Sequence, residues 1–132
     1  YIFKTDYSRG QARLAAENLI KMSNPASAVF VASDSMALEV MAVERESGRN
    51  IHGDLSIVGF DDNPSGLYGP VALTTVRQPL IKMAEESVKE LNRLMNINPA
   101  LACKSGVKKS PQAKKILLPA ELVIRESCRT LR

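Results

Sequence analysis

Three aspartates stand where apolar runs give way to polar chain. Asp61 and Asp62 close the stretch SIVGFDDN (56–63), and Asp34 follows AVFVAS (28–33). A carboxylate at the tip of a buried strand can accept hydrogen bonds from two neighbouring hydroxyl groups, the pattern that sugars and nucleosides present. Such charge-assisted bonds are stronger and more directional than neutral ones. In open parallel sheets, ligands are taken up beyond the carboxyl ends of the strands. If the two apolar runs are neighbouring strands, Ser33, Asp34, Asp61 and Asp62 gather on one edge. Each acid also has a local explanation. Asp34 suits the N-cap of a following helix, where its carboxylate would accept free N–H groups of the first turn. Asp62-Asn63-Pro64 reads as turn chemistry. Asp61 is the first residue beyond the strand, and both a ligand role and a turn role stay open for it.

Catalysis is poorly supported. Adjacent acids do not make a glycosidase pair, which needs carboxyl groups roughly 5 to 10 Å apart across a sugar. The sequence has no GxSxG elbow, phosphate-binding GxxxxGK[ST] loop or GxGxxG turn. A receiver-type phosphate pocket would want an acid cluster after the first strand and a lysine after the last, and no such set is visible. His52 is the sole histidine, and Cys103 and Cys128 are the only cysteines, too few for a zinc site or a disulfide framework. No enzyme, metal site or cofactor is expected.

The elements that must position the acids follow from periodicity. Ala12, Ala15, Ala16, Leu19 and Met22 recur at helical spacing and predict a helix over 8–22, closed by Asn24 and Pro25. AVFVA (28–32) predicts a central parallel strand covered on both faces. A second helix over 35–48 carries Met36, Ala37, Val40 and Met41, with Gly48 as its stop. SIVGF (56–60) is the next strand and LTTV (73–76) a further short one. Pro79 opens a third helix, 79–96, whose stripe is Leu80, Ala84, Val88, Leu91 and Met95. ILLPAELVIRES (116–127) returns as two extended pieces around Pro119. Tyr1–Phe3 reads as the end of another strand. Alternating helices and strands with short links predict an α/β fold: a parallel sheet flanked by helices, with right-handed crossovers.

The 132 residues fit one domain, and 45% hydrophobic with 24% charged residues is ordinary for a globular chain. The net charge of +4 is local in origin. Residues 97–115 hold Lys104, Lys108, Lys109, Lys114 and Lys115 and no acid, so the rest is slightly acidic. That distribution predicts a solvated basic loop rather than a nucleic-acid-binding face. No run approaches the ~18 apolar residues of a membrane span, and the N-terminus lacks the pattern of a signal peptide, so no membrane partner and a cytoplasmic location are expected.

Taken together, AVFVASDSMALEVMAVERESGRNIHGDLSIVGFDDNP, PVALTTVRQPL and ILLPAELVIRESC closely resemble the effector-binding core of the LacI/GalR family of bacterial transcription regulators. The resemblance covers the chain apart from 97–115, with the pieces in family order. It implies a periplasmic-binding-protein-like fold of two α/β subdomains closing on a small molecule, with operator DNA read by an N-terminal helix-turn-helix that these residues do not include. Residues 1–78 and 116–132 would form the C-terminal subdomain, and the 79–96 helix would belong with the N-terminal subdomain. Tyr7 matches the family's stacking aromatic, Ser33 a polar cleft position, and Asp61 the acid that holds effector hydroxyls. Gln78 and Leu80 match the pocket edge, while Leu38, Leu67 and Tyr68 match a homodimer interface. The family's cleft arginine would fall before Tyr1, leaving one side of a site. The implied function is sensing of a sugar or related polar metabolite. A periplasmic sugar-binding protein of a transport system is the alternative, for which a secretion signal would decide.

Overall fold

A computed structural model describes residues 1–51, 53–95 and 114–130. His52, Cys103 and all but the last two lysines of the basic stretch lie outside the described residues. Two compact units result, Tyr1–Gln78 with Ala120–Arg132, and Pro79–Pro119. Residues 116–119, read from sequence with the sheet, fall in the second unit.

The first unit contains α1 (Arg9–Ile20), β1 (Ala28–Phe30), α2 (Asp34–Glu46), β2 (Ser56–Asp61), a 3₁₀ turn at Pro64–Leu67, β3 (Thr74–Arg77) and β4 (Glu121–Val123). The strands lie in the order β1-β2-β3-β4. β1 and β2 are parallel with Phe30 opposite Val58, and β2 and β3 are parallel with Asp61 opposite Arg77. The sheet is nevertheless mixed, because β4 runs antiparallel to β3 with Arg77 opposite Glu121. Tyr1–Phe3 forms no strand.

α1 is shorter than the 8–22 span predicted, ending at Ile20, and α2 stops where Gly48 predicts. Ser8 caps α1, its hydroxyl accepting from the Gln11 N–H. α2 ends in a Schellman turn: the Arg49 N–H reaches the Glu44 carbonyl at 3.0 Å and the Gly48 N–H reaches Arg45 at 3.0 Å. That turn requires a left-handed residue, and Gly48 supplies it at φ 75°. Arg9–Glu39 and Arg13–Glu46 ion pairs tie α1 to α2.

The core lies between the helices and one face of the sheet. Ala12, Ala16 and Leu19 of α1 meet Ala37, Val40 and Met41 of α2 over Val31, Ile57 and Leu73. On the opposite face, Phe30 is 61% and Leu122 56% exposed. β1 is therefore an edge strand covered on one face among the described residues, not the central strand its apolar run predicts. An apolar run records which residues avoid water, and it cannot say whether a second layer lies within the same stretch of chain.

In the second unit, α3 (Leu80–Met95) runs for 16 residues. The predicted stripe is present, but no residue of the helix is buried, and Leu80, Val88, Leu91 and Met95 are each more than half exposed. Met83, Leu91 and Leu94 line a groove with Ile116 and Leu118 of the returning chain. No helix among the described residues is long and apolar enough to cross a membrane.

Candidate functional site

Because β1 and β2 pair directly, the polar residues after them share one sheet edge. Asp34 is fully buried there. It is not the helix cap: Ser33, extended at φ −154°, caps α2 by accepting from the Met36 N–H, and Asp34 is the first helical residue. The Asp34 side chain turns instead across the sheet edge. Its Oδ2 accepts the Asn63 N–H at 2.6 Å, and its Oδ1 accepts the Thr75 hydroxyl at 2.6 Å. One carboxylate thus joins α2, the turn after β2 and β3. Space for it exists because residue 59 is glycine, where a Cβ would lie 2.2 Å from Asp34 Oδ1.

The turn so held is strained. Asp61 has φ 116° and Asp62 φ 56°, two successive non-glycine residues in the left-handed half of conformational space. Such residues cost on the order of 1–3 kcal/mol each and persist only where the surroundings over-determine them. Tyr7 is the third such residue among those described, at φ 64°. Two of the three are residues singled out from sequence as ligand contacts.

Asp61 is exposed, and its carboxylate accepts from Gln78 Nε2 at 2.8 Å through Oδ1. The structure therefore brings Asp61 and Gln78 into direct contact. Ser33 spends its hydroxyl on the cap and lies 3.1 Å from the Ser35 hydroxyl. Tyr7, 67% exposed, precedes α1, and no hydrogen bond joins it to the Asp61–Gln78 pair among the described residues. Leu80 opens α3 in the second unit and is 61% exposed. Of the residues matched to a dimer interface, Leu38 packs partly on the core, whereas Leu67 and Tyr68 are exposed on the 3₁₀ turn.

Asp62 does more than turn the chain. Arg77 Nε donates to its Oδ2 at 2.6 Å, and Arg125 donates to its Oδ1. These guanidinium groups, Arg77 first, hold the Asp62 carboxyl below the ordinary value of 3.8 against the opposing effect of burial. Its folded value is depressed, so its stabilisation is complete above the unfolded value and fades as pH falls through the folded one. Asp62→Asn is accordingly expected to flatten the acid limb of stability below about pH 4. Urea midpoints measured from pH 5 down to pH 2 check this, and an unchanged slope would contradict it.

Arg77, Arg125 and Thr75 were missed as site residues. Arg77 was within reach of sequence reasoning, since parallel pairing of SIVGFD with TTVR sets it opposite Asp61. Arg125 was not, because it meets Asp62 across a sequence separation of 63 through an antiparallel return.

The sheet and its flanking helices have a periplasmic-binding-protein-like fold. A family model described as a periplasmic binding protein-like domain matches residues 1–128, and the chain belongs to that family. Its branch is that of the LacI/GalR-type transcription regulators. It is 34% identical over 127 residues to the HTH-type transcriptional regulator MalR of Clostridium butyricum, covering 96% of this chain and 34% of that protein. Among solved structures, the lac repressor dimer bound to operator and the anti-inducer ONPF matches with a TM-score of 0.74 and 27% identity, over 95% of this chain and 40% of that one. The complex of the transcriptional regulator CelR with cellobiose matches with a TM-score of 0.72 and 29% identity, over 92% of this chain and 34% of that one. The chain spans about a third of the length of the curated relative.

Proposed function

We propose that these residues are the effector-sensing and dimerising part of a transcription regulator that binds a sugar or related polar metabolite. The observation that carries the reading is Asp61, an exposed carboxylate on the last residue of β2, presented in a strained conformation with Gln78 donating to Oδ1. The second oxygen is the acceptor for an effector hydroxyl. Tyr7 stacks on the effector and Ser33 borders the pocket. The relative solved with cellobiose supports a sugar as the ligand class. The site is completed by a facing subdomain, with which α3 and its exposed stripe pack. Leu38, Leu67 and Tyr68 contribute to pairing of two copies, in keeping with the relative solved as a dimer on operator. Binding favours one closure state of the core and so biases operator affinity in a DNA-reading part elsewhere in the protein, allostery by differential affinity for two states. Its place is the cytoplasm, where operator DNA is.

Thermal-shift screening of the gene product that carries this chain tests the reading, with cellobiose, other neutral mono- and disaccharides, and nucleosides as probes. A ligand at a hundred times its Kd stabilises by about 2.7 kcal/mol, a readily measured rise in Tm. At least one sugar is expected to give it. A flat response to every sugar, with a rise for a nucleoside, would replace the ligand class. A flat response to all would remove the sensor assignment.

A further inference from the structure

Arg125 lies beyond β4, with no polar bond to Asp61 or Gln78, yet it anchors the turn on which Asp61 sits. Its NH1 donates to the Leu73 carbonyl at 2.8 Å, and its backbone N–H donates to Thr74 Oγ1 at 2.9 Å. The side chain is 15% exposed, so it is fixed before it reaches Asp62. Arg77, the other partner of Asp62, is 49% exposed and shared with Glu121. On its inner side the same turn is held by Asp34 at the Asn63 N–H and by Thr75 Oγ1, which accepts the Asp62 N–H at 3.4 Å. The inner bonds fix the main chain at Asp62 and Asn63, whereas the Asp62 side chain, on the residue next to Asp61 and at φ 56°, is held from outside by Arg125 and Arg77.

We infer that Arg125, acting through Asp62, is a positioning residue that aims the Asp61 carboxylate out of the sheet edge and onto Gln78. This rests on the proposed ligand role of Asp61 and deepens it. A guanidinium suits the task because its planar fork binds a carboxylate and a carbonyl at once, which a lysine ammonium does with less directional control.

The test uses the gene product that carries this chain, with Arg125→Met, Arg125→Lys and, should the first fail to fold, Arg77→Met. Two readouts are taken. NMR follows the intraresidue HN–Hα cross-peak of Asp62, strong only at positive φ, and the Gln78 side-chain amide signals. Calorimetry follows the affinity for whichever neutral sugar most stabilises the parent. Arg125→Met is expected to weaken the Asp62 cross-peak, shift the Gln78 amide toward its free position and lower affinity about tenfold, with partial recovery in Arg125→Lys. Arg77→Met should move the same signals less. If Arg125→Met lowers Tm while the cross-peak, the Gln78 amide and the affinity stay put, Arg125 is fold glue and the inference is overturned. If the geometry collapses but affinity holds, the turn does not aim a ligand acid, and the inference is likewise overturned. A parent that binds no sugar, but whose Asp61–Gln78 contact collapses in Arg125→Met, overturns the sugar reading and leaves the positioning assignment standing.

Discussion

Replacing Asp34 with alanine is expected to lower stability by about 3 kcal/mol or more, well beyond the ~1 kcal/mol of a lost helix cap. The carboxylate is fully buried and accepts two short bonds, one from a main-chain N–H and one from a buried hydroxyl. Bonds to a charged acceptor contribute about 1.5–3 kcal/mol each, and removal strands both donors. Asp34→Asn keeps one acceptor oxygen and should lose roughly half as much. Ser33→Ala removes the actual cap and should cost about 1 kcal/mol. Urea melts of the three variants rank them. If Ser33→Ala and Asp34→Ala cost the same small amount, the cross-sheet role of Asp34 is wrong.

The second large effect is expected at Gly59, on the strand beneath that carboxylate. A Cβ there would stand 2.2 Å from Asp34 Oδ1 and 2.9 Å from Leu73 Cδ2. Neither neighbour can give way cheaply, since Asp34 is pinned by two bonds and Leu73 is fully buried. Overpacking a well-filled site costs typically 1–3 kcal/mol, and Gly59→Ala should reach the upper end because it also displaces the Asp34 bonds. The two substitutions should be strongly non-additive. With Asp34→Ala already made, most of the room for the new methyl exists, so the double variant should be little worse than Asp34→Ala alone. Additive losses would show that the two positions do not share this space.

These two positions also show where sequence reasoning reached and where it stopped. SIVGF is legible as a strand because an apolar run bounded by turn residues has few other fates, and Asp61 is legible as the residue delivered at its tip. Gly48 as a helix stop is legible because left-handed backbone favours glycine. The role of Asp34 was misassigned because a Ser-Asp pair before a helix offers two candidate caps. Only the position of Asn63 and Thr75 decides that the serine caps and the acid crosses the sheet. AVFVA looked central because burial on one face by α1 and α2 and burial on two faces leave the same apolar signature in three to five residues. The antiparallel return of β4, and with it Arg125, depends on register between segments some fifty residues apart, to which local patterning is blind. The family resemblance supplied the order of the pieces, but the bonds that strain and hold the Asp61–Asp62 turn come from geometry alone.

The central claim is that Asp61 is a ligand acid rather than a turn residue. Calorimetry of Asp61→Asn beside the parent, in the gene product that carries this chain and with the sugar that stabilises the parent most, tests it directly. Loss of the charged acceptor should weaken binding by about 1.5–3 kcal/mol, roughly ten- to a hundredfold. The melting temperature should hardly change, because the side chain is exposed and its one bond, from Gln78, can be made by the asparagine oxygen. Unaltered affinity, with or without a change in melting, would contradict the account and return Asp61 to turn chemistry.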